Sequence, residues 1–97
     1  IAADKFCFMG FVPTKKGRET FIKDMLNRKD PVVFFETAPR LPKLFDQLSN
    51  LGGENRVLIV GRELTKQFEE IQTGTVMELK QYFLKPRGEF ILLLKSS

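Results

Sequence analysis

Apolar residues occur along this chain in two patterns. Four short runs are apolar without interruption, as expected for strands of a buried sheet. These runs are residues 6–9, 32–35, 57–60 and 90–94. Between them, residues 18–28 and 41–51 carry apolar side chains at the three- and four-residue spacing of a helix that buries one face. The pattern therefore predicts strand, helix, strand, helix, strand, with a further strand near the end of the chain.

Residues that begin or end helices mark the boundaries of these elements. Pro39 suits the first turn of the second helix, and the Gly52-Gly53 pair ends that helix. Thr75 is followed three residues later by Glu78, which is the capping-box pattern, and this predicts a third, short helix. Residues 71–73, just before this cap, predict a short edge strand.

This order of elements predicts an α/β fold. Strands joined by helices through right-handed crossovers form a largely parallel sheet with helices on both faces. Because the edge strand near Ile71 is expected to run antiparallel, we predict a mixed, mostly parallel sheet of about five strands flanked by helices. A length of 97 residues predicts one domain, spanning residues 1–97.

Composition narrows the possible functions. Apolar residues make up 42% of the chain and charged residues 29%, which is typical of a folded domain, and the net charge of +4 favours an anionic partner. With Cys7 as its one cysteine and no histidine, the sequence offers no disulfide, no clustered metal ligands and no Ser-His-Asp triad. No apolar run approaches the ~18 residues of a membrane helix, so we expect no membrane partner and a cytoplasmic location.

Basic residues cluster in the three segments that follow the first three predicted strands. If these strands run in parallel, the segments meet at the carboxyl edge of the sheet, where open α/β folds bind ligands. The cations are Lys15, Lys16, Arg18, Arg40, Lys43, Arg62 and Lys66, beside the acids Glu36 and Glu63. Helix N-termini in two of the segments add N–H donors that favour a phosphate or carboxylate ligand.

These features also have purely structural interpretations. Lys15 and Lys16, taken as a pair, are more often a solvated loop than a binding site. Phe34 and Phe35 are better explained as core residues of a covered strand than as a platform for base stacking. Cys7 is expected to be a small buried apolar residue. The convergence of cations from three separate loops is what favours a functional interpretation.

Four ordered blocks of sequence resemble a known enzyme family. They are GFVPTKKGR at residues 10–18, VFFETAPRL at 33–41, GRELTK at 61–66 and RGEF at 87–90. In this order they resemble the C-terminal domain of the bacterial small-subunit ribosomal RNA cytidine 2′-O-methyltransferase family, within the tetrapyrrole methylase superfamily. The resemblance covers nearly the whole chain and implies the C-terminal domain of a tetrapyrrole-methylase-like fold.

The resemblance also implies a two-domain enzyme that holds S-adenosylmethionine between its domains, with most cofactor motifs on an N-terminal domain outside this chain. The residues implied at the cofactor are Phe35, Glu36, Val60, Gly61, Glu89 and Phe90. The residues implied at RNA phosphates or at the target ribose are Lys15, Lys16, Arg18, Arg40, Arg62 and Lys66. The implied partners are small-subunit ribosomal RNA, the chain's own N-terminal domain and a second copy in a homodimer.

Two alternatives remain open. A corrin or porphyrin methylase of the same superfamily would need a pocket for a large tetrapyrrole in place of a basic rim, and the GRELTK block argues against it. A free-standing α/β nucleic-acid-binding module would need no catalytic partner, and its binding to RNA would weaken steeply with salt. Because the chain begins at Ile1 rather than at a methionine, we expect a fragment that is inactive by itself.

Overall fold

The structure is a computed structural model that describes residues 5–63 and 68–96. Its strands are β1 (Cys7–Phe11), β2 (Val32–Thr37), β3 (Val57–Glu63), β4 (Phe68–Thr75) and β5 (Glu89–Leu94). Its helices are α1 (Arg18–Asn27), α2 (Leu41–Asn50) and α3 (Val76–Tyr82), and a 3-10 turn at Ala38–Arg40 leads into α2. Every helix and strand predicted from the apolar pattern is present, although β3 and β4 extend further toward each other than predicted.

Local sequence signals account for the helix ends. Pro39 lies in the turn before α2, where its missing N–H removes no helical hydrogen bond. At α3 the predicted capping box is confirmed, because the Glu78 N–H donates to Thr75 Oγ1 at 3.1 Å and the Thr75 N–H donates to Glu78 Oε1 at 2.8 Å. Within the described ranges, no helix is long and apolar enough to span a membrane.

The five strands form one mixed sheet in the order β1-β2-β5-β3-β4. The mixed five-stranded sheet is confirmed, but the expected predominance of parallel pairing is wrong. Only β1 and β2 pair in parallel among the described strands, because β5 lies between β2 and β3 and is antiparallel to both. The reason is that α3 returns the chain to the edge where β1, β2 and β3 end, and from that edge β5 must run the opposite way.

All three helices cover the same face of the sheet. Their buried residues form one core with every second residue of the central strands, as the two-residue period of a strand requires. From the strands this core takes Val32, Phe34, Leu58, Val60, Phe90, Leu92 and Leu94. From the helices it takes Ile22, Met25, Leu41, Leu44, Phe45, Leu48, Val76 and Leu79. We call this side of the sheet the covered face.

The opposite side of the sheet, which we call the open face, is apolar without being covered by a helix of the described chain. It carries Phe8, Phe11, Val33, Phe35, Ile59, Ile71, Ile91 and Leu93, several of which line a shallow hollow of about 210 Å³. Phe8, Phe11 and Ile71 are 58%, 57% and 64% exposed. The prediction of helices on both faces was therefore wrong. An uninterrupted apolar strand shows that both faces avoid water, but it does not show that helices of the same chain cover them.

Two substitutions, one on each face of the sheet, should differ in their effect on stability. Leu92→Ala on the covered face should cost about 2–5 kcal/mol of unfolding free energy, because it leaves a cavity in a packed core. Ile71→Lys on the open face should change stability by about 0.5 kcal/mol or less, while reducing concentration-dependent association of the isolated chain. Urea unfolding and sedimentation velocity measure the two effects. Equal losses of stability in the two variants would contradict the assignment of faces.

Candidate functional site

The ends of β1, β2 and β3 meet at one edge of the sheet, together with the beginning of β5. Phe11 pairs with Phe35, Glu36 pairs with Phe90, and Phe90 also pairs with Arg62. The three strands point in one direction although β5 separates β2 from β3. The prediction that the first three strands end at one rim is therefore confirmed, and we call this rim the carboxyl edge. Residues 64–67, which follow β3, lie outside the described residues.

A pocket of about 240 Å³ opens at the carboxyl edge on the open face. We call it the edge pocket, and it is lined by Phe11, Phe35, Glu63, Glu89, Phe90 and Ile91. The Phe35 ring is held by Phe8 and Phe11, with ring centroids 5.4 and 5.1 Å away. Glu63 and Glu89, which are paired in register on neighbouring strands, contribute two carboxylates to its lining. The pocket thus combines aromatic walls with negative charge.

Phe35 and Glu89, two of the residues predicted at the cofactor, line this pocket from the open face, and Gly61 lines the adjoining hollow. Phe90 also borders the pocket, although its side chain packs in the core of the covered face. The structure places the other two differently. Glu36 and Val60 are buried on the covered face, because successive residues of a strand point to opposite sides. Strand alternation, applied to the sequence alone, would have placed the side chains of Phe35 and Glu36 on opposite faces of the sheet. Counted from Gly61, the same alternation would have added Glu63 to the residues predicted at the cofactor.

Glu36 belongs instead to a buried network centred on Arg18. The Arg18 Nη2 lies 2.7 Å from Glu36 Oε2, and the two side chains are 3% and 2% exposed. Arg18 also donates from Nε to Gln47 Oε1 at 2.7 Å and from Nη1 to the Pro13 carbonyl at 3.1 Å. The second Glu36 oxygen accepts from the Thr37 N–H at 3.0 Å. This network ties the loop after β1 to the end of β2 and to α2.

The burial of Arg18 corrects its expected role at the surface. A guanidinium that is 3% exposed and already bound to a carboxylate, an amide oxygen and a carbonyl offers no face to an RNA phosphate in this structure. The sequence signal was ambiguous, because an Arg at the start of a helix, directly after a basic loop, fits a phosphate site as well as an internal ion pair. Removing one member of such a pair leaves a charge buried without compensation.

The other predicted cations lie at the carboxyl edge wherever the structure describes them. Lys15 and Lys16 are exposed in the loop between β1 and α1, and Arg40 is half-buried with Nη1 donating to Thr37 Oγ1 at 3.1 Å. Arg62, near the end of β3, donates from Nε to Glu70 Oε1 at 3.0 Å. Lys66 lies outside the described residues. We call Lys15, Lys16, Arg40 and Arg62 the basic rim.

The buried Arg18–Glu36 ion pair should contribute to the stability of the fold. Glu36→Gln should cost about 3–5 kcal/mol of unfolding free energy, because Arg18 then remains charged and buried without its carboxylate. Urea-induced unfolding followed by circular dichroism measures this cost. The matched control is Lys23→Met, which breaks the exposed Lys23–Glu19 pair and should cost about 0.5 kcal/mol or less. If the two variants were equally stable, the buried network would not be needed to hold the loop, β2 and α2 together.

Comparison with known proteins gives relatives along nearly the whole chain. No family model matches the sequence. It is 30% identical over 100 residues to "Ribosomal RNA small subunit methyltransferase I" of Haemophilus influenzae, which covers 98% of this chain and 35% of the relative. It is 41% identical over 96 residues to the protein of the same name from Borrelia garinii subsp. bavariensis, covering 93% of this chain and 42% of the relative. The chain thus spans well under half the length of these relatives.

Solved structures support the fold. The chain superposes on the methyltransferase CobJ with a TM-score of 0.64 and 12% identity, covering 96% of this chain and 41% of that one. It superposes equally well, with a TM-score of 0.64 and 16% identity, on the cobalt precorrin-4 methyltransferase CbiF, covering 95% of this chain and 41% of that one. The resemblance first seen in four blocks of sequence is therefore confirmed: over almost all of its length, this chain is similar to one part of proteins named ribosomal RNA small subunit methyltransferase I.

Proposed function

We propose that this chain is the C-terminal part of an S-adenosylmethionine-dependent ribosomal RNA 2′-O-methyltransferase. In this proposal it supplies one wall of the cofactor site and a basic surface for RNA, and its own N-terminal domain supplies the opposite wall. The observation that carries the proposal is the edge pocket. It brings together parts of three sequence blocks that the resemblance had placed at the cofactor.

The residues of the edge pocket fit the cofactor's chemistry. S-adenosylmethionine, when bound, supplies a methyl group on a positively charged sulfur. Glu63 and Glu89 face each other across neighbouring strands, and like charges in that position repel unless a cation lies between them. The rings of Phe11 and Phe35 offer an apolar surface to an adenine. The volume of about 240 Å³ is below the ~300–1,000 Å³ typical of a complete ligand site, which agrees with one wall of a larger cleft.

The roles left to this chain are binding and orientation. Methyl transfer from this cofactor needs the donor carbon and the accepting hydroxyl held in line, and the cofactor carries the reactive group. Phe35, Glu63 and Glu89 would position the donor. The basic rim would hold RNA phosphates, which orient the substrate without reading its sequence.

Ribosomal RNA is favoured over a tetrapyrrole as the substrate. The relatives named for ribosomal RNA are 30% and 41% identical to this chain, whereas the corrin enzymes that share the fold are 12% and 16% identical. A homodimer, implied by the family resemblance, stays a prediction. Light scattering on the longer protein would measure its mass.

The cofactor wall can be tested in the longer protein that contains the N-terminal domain. Glu89→Ala and Phe35→Ala should each raise the Kd for S-adenosylmethionine about tenfold, which corresponds to roughly 1.4 kcal/mol of binding free energy. Isothermal titration calorimetry measures this constant. The matched control for the removed carboxylate is Asp30→Ala, an exposed residue just before β2 at the far edge of the sheet. Unchanged affinity in both edge-pocket variants would rule out this wall.

The basic rim can be tested separately through RNA binding by the same longer protein. Lys15→Ala combined with Lys16→Ala should weaken binding to small-subunit ribosomal RNA. It should also lower the slope of log K against log salt by about 0.7–0.9 for each phosphate that is no longer neutralised. Cofactor affinity should not change. Lys5→Ala with Lys29→Ala removes the same charge from exposed residues at the far edge and serves as the control. If both double variants bound RNA equally weakly, net charge rather than the rim would bind the RNA.

A further inference from the structure

A second pocket lies at the carboxyl edge on the covered side of the sheet. It has a volume of about 240 Å³ and is lined by Arg62, Glu70, Tyr82, Phe83, Lys85, Pro86 and Arg87. The hairpin of β3 and β4 supplies one side of it. The end of α3 and the loop from α3 to β5 supply the other. We call it the Tyr82 pocket, and most of its residues were not among the candidate site residues from the sequence.

Hydrogen bonds fix the position of the tyrosine ring. The Glu70 carboxylate accepts from Arg62 Nε at 3.0 Å and from the Tyr82 hydroxyl, and Gln72 Nε2 lies 3.1 Å from the same hydroxyl. The Tyr82 ring also packs edge-on against Phe83 at 4.8 Å, and Phe83 is buried. Tyr82 nevertheless remains 52% exposed. The Tyr82 ring is therefore positioned by polar and aromatic contacts and remains accessible to solvent.

The charge around this ring is positive. Arg62, Lys85 and Arg87 contribute three cations, and Glu70 contributes one carboxylate. Lys85 and Arg87 are exposed in the loop directly after α3. An exposed aromatic ring beside cations is the combination with which proteins bind single-stranded nucleic acid, by stacking a base and contacting the neighbouring phosphates.

We propose that the Tyr82 pocket binds one nucleotide of single-stranded RNA, with the base stacked on Tyr82 and the adjacent phosphates on Lys85 and Arg87. The proposal rests on the proposed function, in which RNA is the substrate. It adds a site on the opposite side of the sheet from the edge pocket. Because neighbouring residues of β3 point to opposite faces, Arg62 lines the Tyr82 pocket and Glu63 lines the edge pocket. RNA bound here would pass directly beside the cofactor wall.

The sequence provides a direct probe, since Tyr82 is the only tyrosine and there is no tryptophan. Titrating the chain with a short single-stranded cytidine oligoribonucleotide should quench its tyrosine fluorescence to a saturating level. Tyr82→Leu should weaken binding of the same fluorescently labelled oligonucleotide about 5- to 150-fold in an anisotropy assay, the range expected for one stacked base. Tyr82→Phe keeps the ring and should retain most of the affinity.

Charge variants test the phosphate contacts independently of the ring. Lys85→Ala with Arg87→Ala should lower the salt slope of binding by about 0.7 for each phosphate that is no longer neutralised. Lys95→Ala, directly after the far end of β5, should leave the slope unchanged. Thermal unfolding of each variant separates a loss of binding from a loss of folding, and Tyr82→Phe supplies a folded comparison if Tyr82→Leu is unstable.

Two results would overturn the site. In the first, the chain binds RNA without any change in Tyr82 fluorescence, and Tyr82→Leu binds with full affinity. In the second, the chain does not bind the oligonucleotide even at low salt. In the first case the proposed function would stand and only this site would fail. If instead the longer protein failed to methylate small-subunit ribosomal RNA while the quenching persisted, the proposed function would fail and the nucleotide site would remain.

Discussion

The insertion of β5 between β2 and β3 is the constraint on which the rest of the structure depends. By pairing antiparallel with both neighbours, β5 keeps β2 and β3 pointing in one direction without direct contact between them. Its own beginning then lies at the edge where those strands end. Residues from distant parts of the chain, such as Phe35 and Glu89, meet at this edge for that reason.

Alternation along the strands then divides this edge into two sides. One register row runs from Glu36 through Phe90 and Arg62 to Glu70 on the covered face. At its two ends lie the Arg18–Glu36 network and the Tyr82 pocket, separated by Phe90 and the Phe83 ring packed on it. The next row places Glu89 and Glu63 on the open face. A single edge therefore presents an acidic, aromatic pocket on one side and a basic, aromatic pocket on the other.

Much of this arrangement could be predicted from the sequence, because it depends on local signals. Apolar spacing predicted the helices and strands, the Thr75–Glu78 pair predicted the cap of α3, and the common edge followed from strand direction. Other features depend on tertiary contacts that a sequence does not display. The burial of Arg18 follows from a carboxylate and an amide on distant segments. The Tyr82 pocket needed β4 to bring Glu70 against α3. The open face could not be predicted, because an uninterrupted apolar strand is equally compatible with helices of the same chain on both faces and with one face left uncovered by this chain.

The most direct test of this account is the pairing of β5, measured by interstrand nuclear Overhauser effects in the isolated chain. The structure predicts that backbone protons of Leu92 show cross-peaks to the pairing regions of both Phe34 on β2 and Val60 on β3. Cross-peaks that join β2 directly to β3, with β5 at an edge of the sheet, would contradict the account. In that arrangement Glu89 and Phe90 would no longer lie between Phe35 and Glu63.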